Sequence, residues 1–106
     1  MAILRITLFK IKDRNNIQPM ISQYQTLSQT AQKKDSKPYI LSCTAREPLA
    51  DSAERAKGYN VAAMARFADM SDVKYYDEQC EAHGKLKAFA KDKVDGPPLV
   101  VHLEEE

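Results

Sequence analysis

Residues 2–11 carry apolar or β-branched side chains in both alternating sets: Leu4, Ile6 and Leu8 in one, Ile3, Thr7, Phe9 and Ile11 in the other. Successive side chains of a strand point to opposite faces, so the pattern predicts a strand buried on both sides. Arg5 interrupts the second set. After the polar break at 13–16, Ile17, Met20, Ile21, Tyr24, Leu27, Ser28 and Ala31 recur at spacings of three and four, which predicts one face of an amphipathic helix. Asn15 or Asn16 can cap it, and Pro19 falls in its first turn, where a missing N–H costs no helical hydrogen bond. Lys33 and Lys34 suit its C-terminal dipole, and it is expected to end before Pro38.

A second strand is expected over 39–44, followed by a surface loop over 46–57 that contains Pro48 and no apolar period. Residues 58–67 predict a third strand, with Tyr59, Val61, Ala63 and Ala65 alternating with Asn60, Ala62, Met64 and Arg66. Asp69 or Ser71 can cap a helix whose inward positions are Val73, Tyr76 and Cys80 and, past a bend that Gly84 favours, His83, Leu86 and Ala90. Gly96-Pro97-Pro98 ends the helical region, and 99–103 reads as a last short strand before the acidic run 104–106.

The order β-α-β-β-α-β implies an α+β, ferredoxin-like fold: one four-stranded antiparallel sheet with helices on one face, formed by residues 1–106 as a single domain. The helices can cover only one side of the sheet. The Leu4, Ile6 and Leu8 face therefore needs another cover, and the reading supplies it with a second copy, as a symmetric homodimer packed sheet to sheet.

The 106 residues hold 16 basic and 15 acidic side chains, for a net charge of +1, and no Trp. No basic stripe is present, so nucleic acid is not an expected partner. No apolar run approaches the ~20 residues of a membrane span, and 2–9 is too short for a signal segment, so no membrane association and a cytoplasmic location are expected. Cys43 and Cys80, without a CxxC, are expected as packed, reduced thiols. There is no Gly-rich phosphate loop, metal-ligand spacing or nucleophile elbow, and no cofactor or metal is expected.

The opening segment Ile3-Leu4-Arg5-Ile6-Thr7-Leu8-Phe9-Lys10-Ile11-Lys12-Asp13, the strand start Gly58-Tyr59, the strand end Phe67, and Ala82-His83 followed by Phe89 together resemble the stress-responsive A/B barrel, or dimeric α+β barrel, family. The pair Tyr75-Tyr76 points to its fungal members. The resemblance implies a homodimeric barrel with a pocket between sheet and helices in each subunit. Family members include a plant olivetolic acid cyclase, a cofactor-free enzyme of aldol condensation. Its catalytic histidine segment is matched at Ala82-His83, and its first-helix tyrosine aligns with Tyr24. At two further pocket histidines this chain has Arg5 and Val61. A tyrosine ahead of the catalytic histidine aligns with Asp77 or, one residue shifted, with Tyr76.

The resemblance thus implies His83 and Tyr24 as catalytic candidates and Arg5, Tyr76 and Val61 as ligand-binding candidates, with a small aromatic or polyketide-like ligand. An imidazole can accept a proton at neutral pH while a phenol polarises the carbonyl that becomes an enolate. His83 can equally be a helix residue bonded to backbone. Arg5 needs a partner, either an acid such as Asp77 or Glu81 or a ligand carboxylate or phosphate. The clusters Arg46-Glu47, 91–93 and 104–106 read as solvated faces. Two functions stay open: a pocket protein with cyclase-like acid/base chemistry, and a noncatalytic stress-response dimer valued for its stability.

Overall fold

Strands and short helices alternate in the order β1 (Ala2–Phe9), α1 (Ile17–Gln25), α2 (Leu27–Thr30), β2 (Ile40–Arg46), β3 (Val61–Phe67), α3 (Met70–Glu78), α4 (Glu81–Ala90) and β4 (Leu99–Glu105) in the computed structural model, which describes residues 2–33, 35–49 and 54–105. The strands form one antiparallel sheet in the order β2-β3-β1-β4. β1 and β2 are both antiparallel to the β3 between them, so the helical connection between them completes a split βαβ unit of the ferredoxin-like fold.

The inner face of β1 and β3 packs under the helices through Ile3, Phe9, Val61, Ala63, Ala65 and Phe67. The predicted helical stripes meet it: Ile17, Met20, Ile21, Tyr24 and Leu27 from the first helical region, and Val73, Tyr76, Leu86 and Ala90 from the second, are all buried. Phe67 sits between Tyr39 and Tyr76, with ring centroids 6.2 and 5.1 Å away. Arg5 lies on this inner face, as the alternation requires.

Several boundaries differ from the sequence expectation. β1 ends at Phe9, and Ile11 continues only as an isolated bridge to Val94. The Asn60 side chain accepts from Ile11 N at 2.7 Å and donates to Ile11 O at 3.0 Å, taking the backbone groups a neighbouring strand would have used. β3 begins at Val61 rather than 58, because Lys57 and Gly58 turn the chain at φ 56° and 90°; the second value is one that glycine holds without a Cβ penalty. β2 starts at Ile40, extends to Arg46 and carries an irregularity between Ile40 and Ser42. Of the expected surface loop, 50–53 lie outside the described residues.

The first helix is cut at Thr26, whose φ of −107° and ψ of 1° leave the helix. Leu27 and Ala31 still face inward beyond the break, so the apolar spacing does not reveal it. Asp13 caps a preceding 3₁₀ turn by accepting from Asn15 N, while Asn16 makes no side-chain cap bond. Lys33 is not a helix-end residue: it pairs with Asp72 and lies near the Tyr39 and Tyr75 rings. Lys34 lies outside the described residues. In the second helical region Asp69 is the cap, accepting from Asp72 N at 3.1 Å. The break falls at Cys80, extended at φ −70° and ψ 116°, and not at Gly84, whose N–H donates to Cys80 O within the first turn of α4. β4 takes in part of the acidic run, and Glu105 pairs with Arg66 at 2.9 Å.

On the other face of the sheet, Leu4, Ile6 and Leu8 stand opposite Leu103, Val101 and Leu99 of β4 and Arg66, Met64 and Ala62 of β3. Leu99, Val101 and Leu103 are 47, 44 and 49% exposed. The helices leave this apolar face open.

Candidate functional site

The side of α4 that carries His83 faces the inner surface of β1 across a cavity of about 420 Å³. β1 supplies Arg5, Thr7 and Phe9 to its wall, α1 supplies Tyr24, and α4 supplies His83 and Leu86. Alternation along β1 puts its three residues on one face, while helical spacing puts Leu86 beside His83. Lys87 and Lys91, one turn apart and exposed, stand at the mouth. The volume falls within the range of small-molecule sites, ~300–1,000 Å³. A larger hollow of about 710 Å³ lies between the first and second helical regions, lined mainly by polar residues such as Ser22, Gln23, Gln32 and Gln79, and holds none of the candidate residues.

His83 is buried, and its ring stacks on Tyr76 at 3.6 Å and 9°. Its Nδ1 is 2.8 Å from Tyr76 O. A carbonyl only accepts, so Nδ1 carries the proton and Nε2 keeps its lone pair. Nε2 has no partner among the described residues and is not sealed from open space. Burial pushes the imidazole down from 6.5 to about 4; the bond to Tyr76 O opposes this, Lys87 and Arg5 add to it, and Asp77 works against it. His83 is therefore neutral at neutral pH, with Nε2 as acceptor.

The Tyr24 hydroxyl also has no protein partner among the described residues and opens onto the same cavity. Burial raises its pKa well above 10.0, the Cys43 thiol adds to this and Arg5 opposes it, so the phenol stays protonated as a donor. Cys43 itself is pushed up to about 12 by burial and remains a thiol.

Arg5 is 8% exposed, and its Nη1 donates to Asp77 Oδ2 at 3.0 Å and to His102 Nε2 at 3.0 Å. Of the two acids weighed from the sequence, Asp77 is the partner. His102 accepts this bond and is neutral, its pKa lowered by burial and by Arg5, with Asp77 opposing. The guanidinium also lies 5.3 Å from the centre of the Tyr76 ring.

Three of the five sequence candidates, His83, Tyr24 and Arg5, thus share one cavity. Tyr76 and Val61 are not on its wall. Tyr76 is a core residue behind His83, supporting it by stacking and through its carbonyl. Val61 is fully buried at the start of β3, opposite Phe9. Lys91, read from sequence as part of a solvated cluster, stands at the mouth with Lys87; their spacing of four and eight from His83 is the signal that places them there. His102 is brought to Arg5 by the β1–β4 register.

The unfolded chain binds a proton at His83 near 6.5 and the folded one only near 4. The stability that neutral His83 contributes is complete above ~6.5, is lost as the pH falls to about 4, and changes no further below; its size is on the order of 3 kcal/mol. Urea unfolding of wild type and His83→Gln between pH 7.5 and 4 is expected to show a steeper decline in the wild type. Equal slopes would contradict the buried, neutral assignment.

The family profile of the stress responsive A/B barrel domain matches residues 3–99. The chain belongs to this family. A fungal relative, the fusaristatin A biosynthesis cluster protein of Gibberella zeae, is 36% identical over 83 residues, covering 78% of this chain and 58% of that protein. The chain thus spans less than two-thirds of that relative's length. Among solved structures, a dimeric ferredoxin-like protein of unknown function from Bacteroides fragilis superposes on this A/B barrel domain with a TM-score of 0.74 at 17% identity, covering 98% of this chain and 96% of that one. A hydroxynitrile lyase from Passiflora edulis superposes with a TM-score of 0.73 at 16% identity, covering 99% and 95%. Both establish the ferredoxin-like fold of the A/B barrel. No helix among the described residues is long and apolar enough to cross a membrane.

Proposed function

We propose that this A/B barrel domain is a homodimeric small-molecule pocket protein whose cavity performs cofactor-free acid/base chemistry on a polyketide-like or small aromatic molecule, of the aldol-condensation or cyclase type. The observation that carries this reading is the pairing, on one cavity, of two groups with opposite proton duties and no partner among the described residues, the His83 Nε2 lone pair and the Tyr24 hydroxyl. A relative named for a biosynthesis cluster supports a role in small-molecule chemistry.

A carbon flanked by two carbonyls gives its proton to His83 Nε2, and the electron pair moves onto the carbonyl oxygen that receives the Tyr24 hydrogen bond. The carbanion then attacks a second carbonyl of the same molecule, forming the C–C bond, and the resulting alkoxide takes the proton back from Nε2. The low pKa of His83 restricts the first step to a carbon already acidified by neighbouring carbonyls. It also makes the imidazolium a ready proton donor in the last.

The second copy covers the open sheet face. Leu4, Ile6 and Leu8 with Leu99, Val101 and Leu103 form its apolar centre, and the Arg66–Glu105 pair lies at its rim. This is the arrangement of a buried interface with a polar border. A structure of the same fold described as dimeric supports this assembly.

The test is turnover of linear poly-β-keto thioesters by wild type and Tyr24→Phe. Because the hydroxyl acts chiefly when charge develops on oxygen, kcat is expected to fall more than ~10-fold with KM nearly unchanged. Absence of turnover across the series, with ligands still bound, would favour the noncatalytic dimer; His83 in its bonded stack on Tyr76 would then be a structural residue.

A further inference from the structure

Building on the small-molecule reading of the cavity, we infer that its ligand is a carboxylic acid with an apolar body, its carboxylate held by the free edge of Arg5 and drawn in by Lys87 and Lys91. Both hydrogens of Arg5 Nη1 are committed, one to Asp77 and one to His102. The Nε and Nη2 donors have no partner among the described residues, although the side chain is 9% exposed, and they are not sealed from open space. Arg5 lines the cavity.

Nε–H and one Nη2–H run parallel along one edge of the guanidinium, a spacing that matches the two oxygens of a carboxylate in a bidentate pair. Asp77 and His102 hold the other side of the fork, so the edge is fixed before a ligand arrives. Lys87 donates only to the Asp77 carbonyl, at 3.1 Å, and neither it nor Lys91 has an acidic partner among the described residues. No acid among the described residues lines the cavity. The remaining wall, with Phe9, Leu86 and Val94, suits an apolar body. A single two-donor edge matches the two oxygens of a monocarboxylate, whereas a phosphate's third oxygen and second charge find no further guanidinium donor.

Calorimetric titration of the full chain with 4-phenylbutyrate, 4-phenylbutyramide and phenyl phosphate tests this. The carboxylate is expected to bind at least ~10-fold tighter than the isosteric amide. Arg5→Lys keeps the charge but removes the fork, and is expected to cut that ratio several-fold with amide binding little changed; an undiminished ratio in the folded variant overturns the bidentate edge. Lys91→Gln, at an exposed position with no side-chain partner among the described residues, is expected to weaken the acid several-fold and reduce its salt dependence, whether or not the Arg5 variant folds. Equal binding of acid and amide to wild type overturns the carboxylate site while the pocket reading stands. Tighter binding of phenyl phosphate overturns the choice of carboxylate. If no member of the series binds at millimolar concentration, the pocket reading fails as well.

Discussion

Ile6→Lys is expected to turn the proposed homodimer into a monomer or to prevent accumulation of folded protein. Ile6 lies at the centre of the open face, with Met64 and Val101 as its cross-strand neighbours. In the proposed assembly a lysine there places two ammonium groups, one from each copy, in an apolar interface where, among the described residues of β1, β3 and β4 on that face, the one acid is Glu105 at the rim. Desolvating an unpaired charge costs several kcal/mol, and the two-fold symmetry doubles the penalty. A dimer weakened by at least ~1,000-fold is the expected result, from roughly 4 kcal/mol at ~1.4 kcal/mol per tenfold. Sedimentation of wild type and variant at micromolar concentration measures it. A wild type that sediments as a monomer, or a variant that stays fully dimeric, contradicts the assembly.

The second large effect concerns His83→Gln. A positioned base contributes a factor of about 100 to 10,000, so turnover on any accepted β-keto substrate is expected to fall by that amount. Glutamine can still donate to the Tyr76 carbonyl and occupy much of the space beside its ring, so the fold, the cavity and the proposed dimer are expected to persist. Ligand affinity should change far less than kcat. Tyr24 acts at a different atom of the same step, and the two substitutions together are expected to cost less than the product of their separate effects, because groups acting as a unit are not additive. Full activity in the His83 variant would leave the noncatalytic dimer as the better account.

The two-sided apolar pattern of residues 2–9 was enough to sort the side chains of β1 onto two apolar faces, one under the helices and one left open by them, because a period of two sorts side chains without reference to any partner strand. Helical spacing likewise placed Tyr24 and His83 on inward faces. The interruption at Thr26 was hidden because apolar residues on both sides keep the stripe in phase, while the one in the second helical region was expected but at Gly84 rather than Cys80. The strand limits near Ile11 and Val61 depend on a side chain, Asn60, bonding backbone it meets only after folding. In the site, Arg5 announced itself as a charge in an apolar row, and Asp77 was among its expected partners. His102 was not legible there, since only the β1–β4 register brings it opposite Arg5. Lys87 and Lys91 look in sequence like any lysines on a solvated helix. Tyr76 and Val61 were assigned by alignment with a relative, and a buried ring behind a histidine is indistinguishable by spacing from one beside a ligand.

The central claim is that His83 presents a free Nε2 lone pair to the cavity, and nitrogen-15 NMR of its imidazole reads this without any ligand. The expected spectrum at pH 7 is a neutral ring in the Nδ1–H tautomer, titrating only as the pH approaches about 4. A ring protonated at Nε2 at pH 7, whether as the other tautomer or as the imidazolium, would contradict the account.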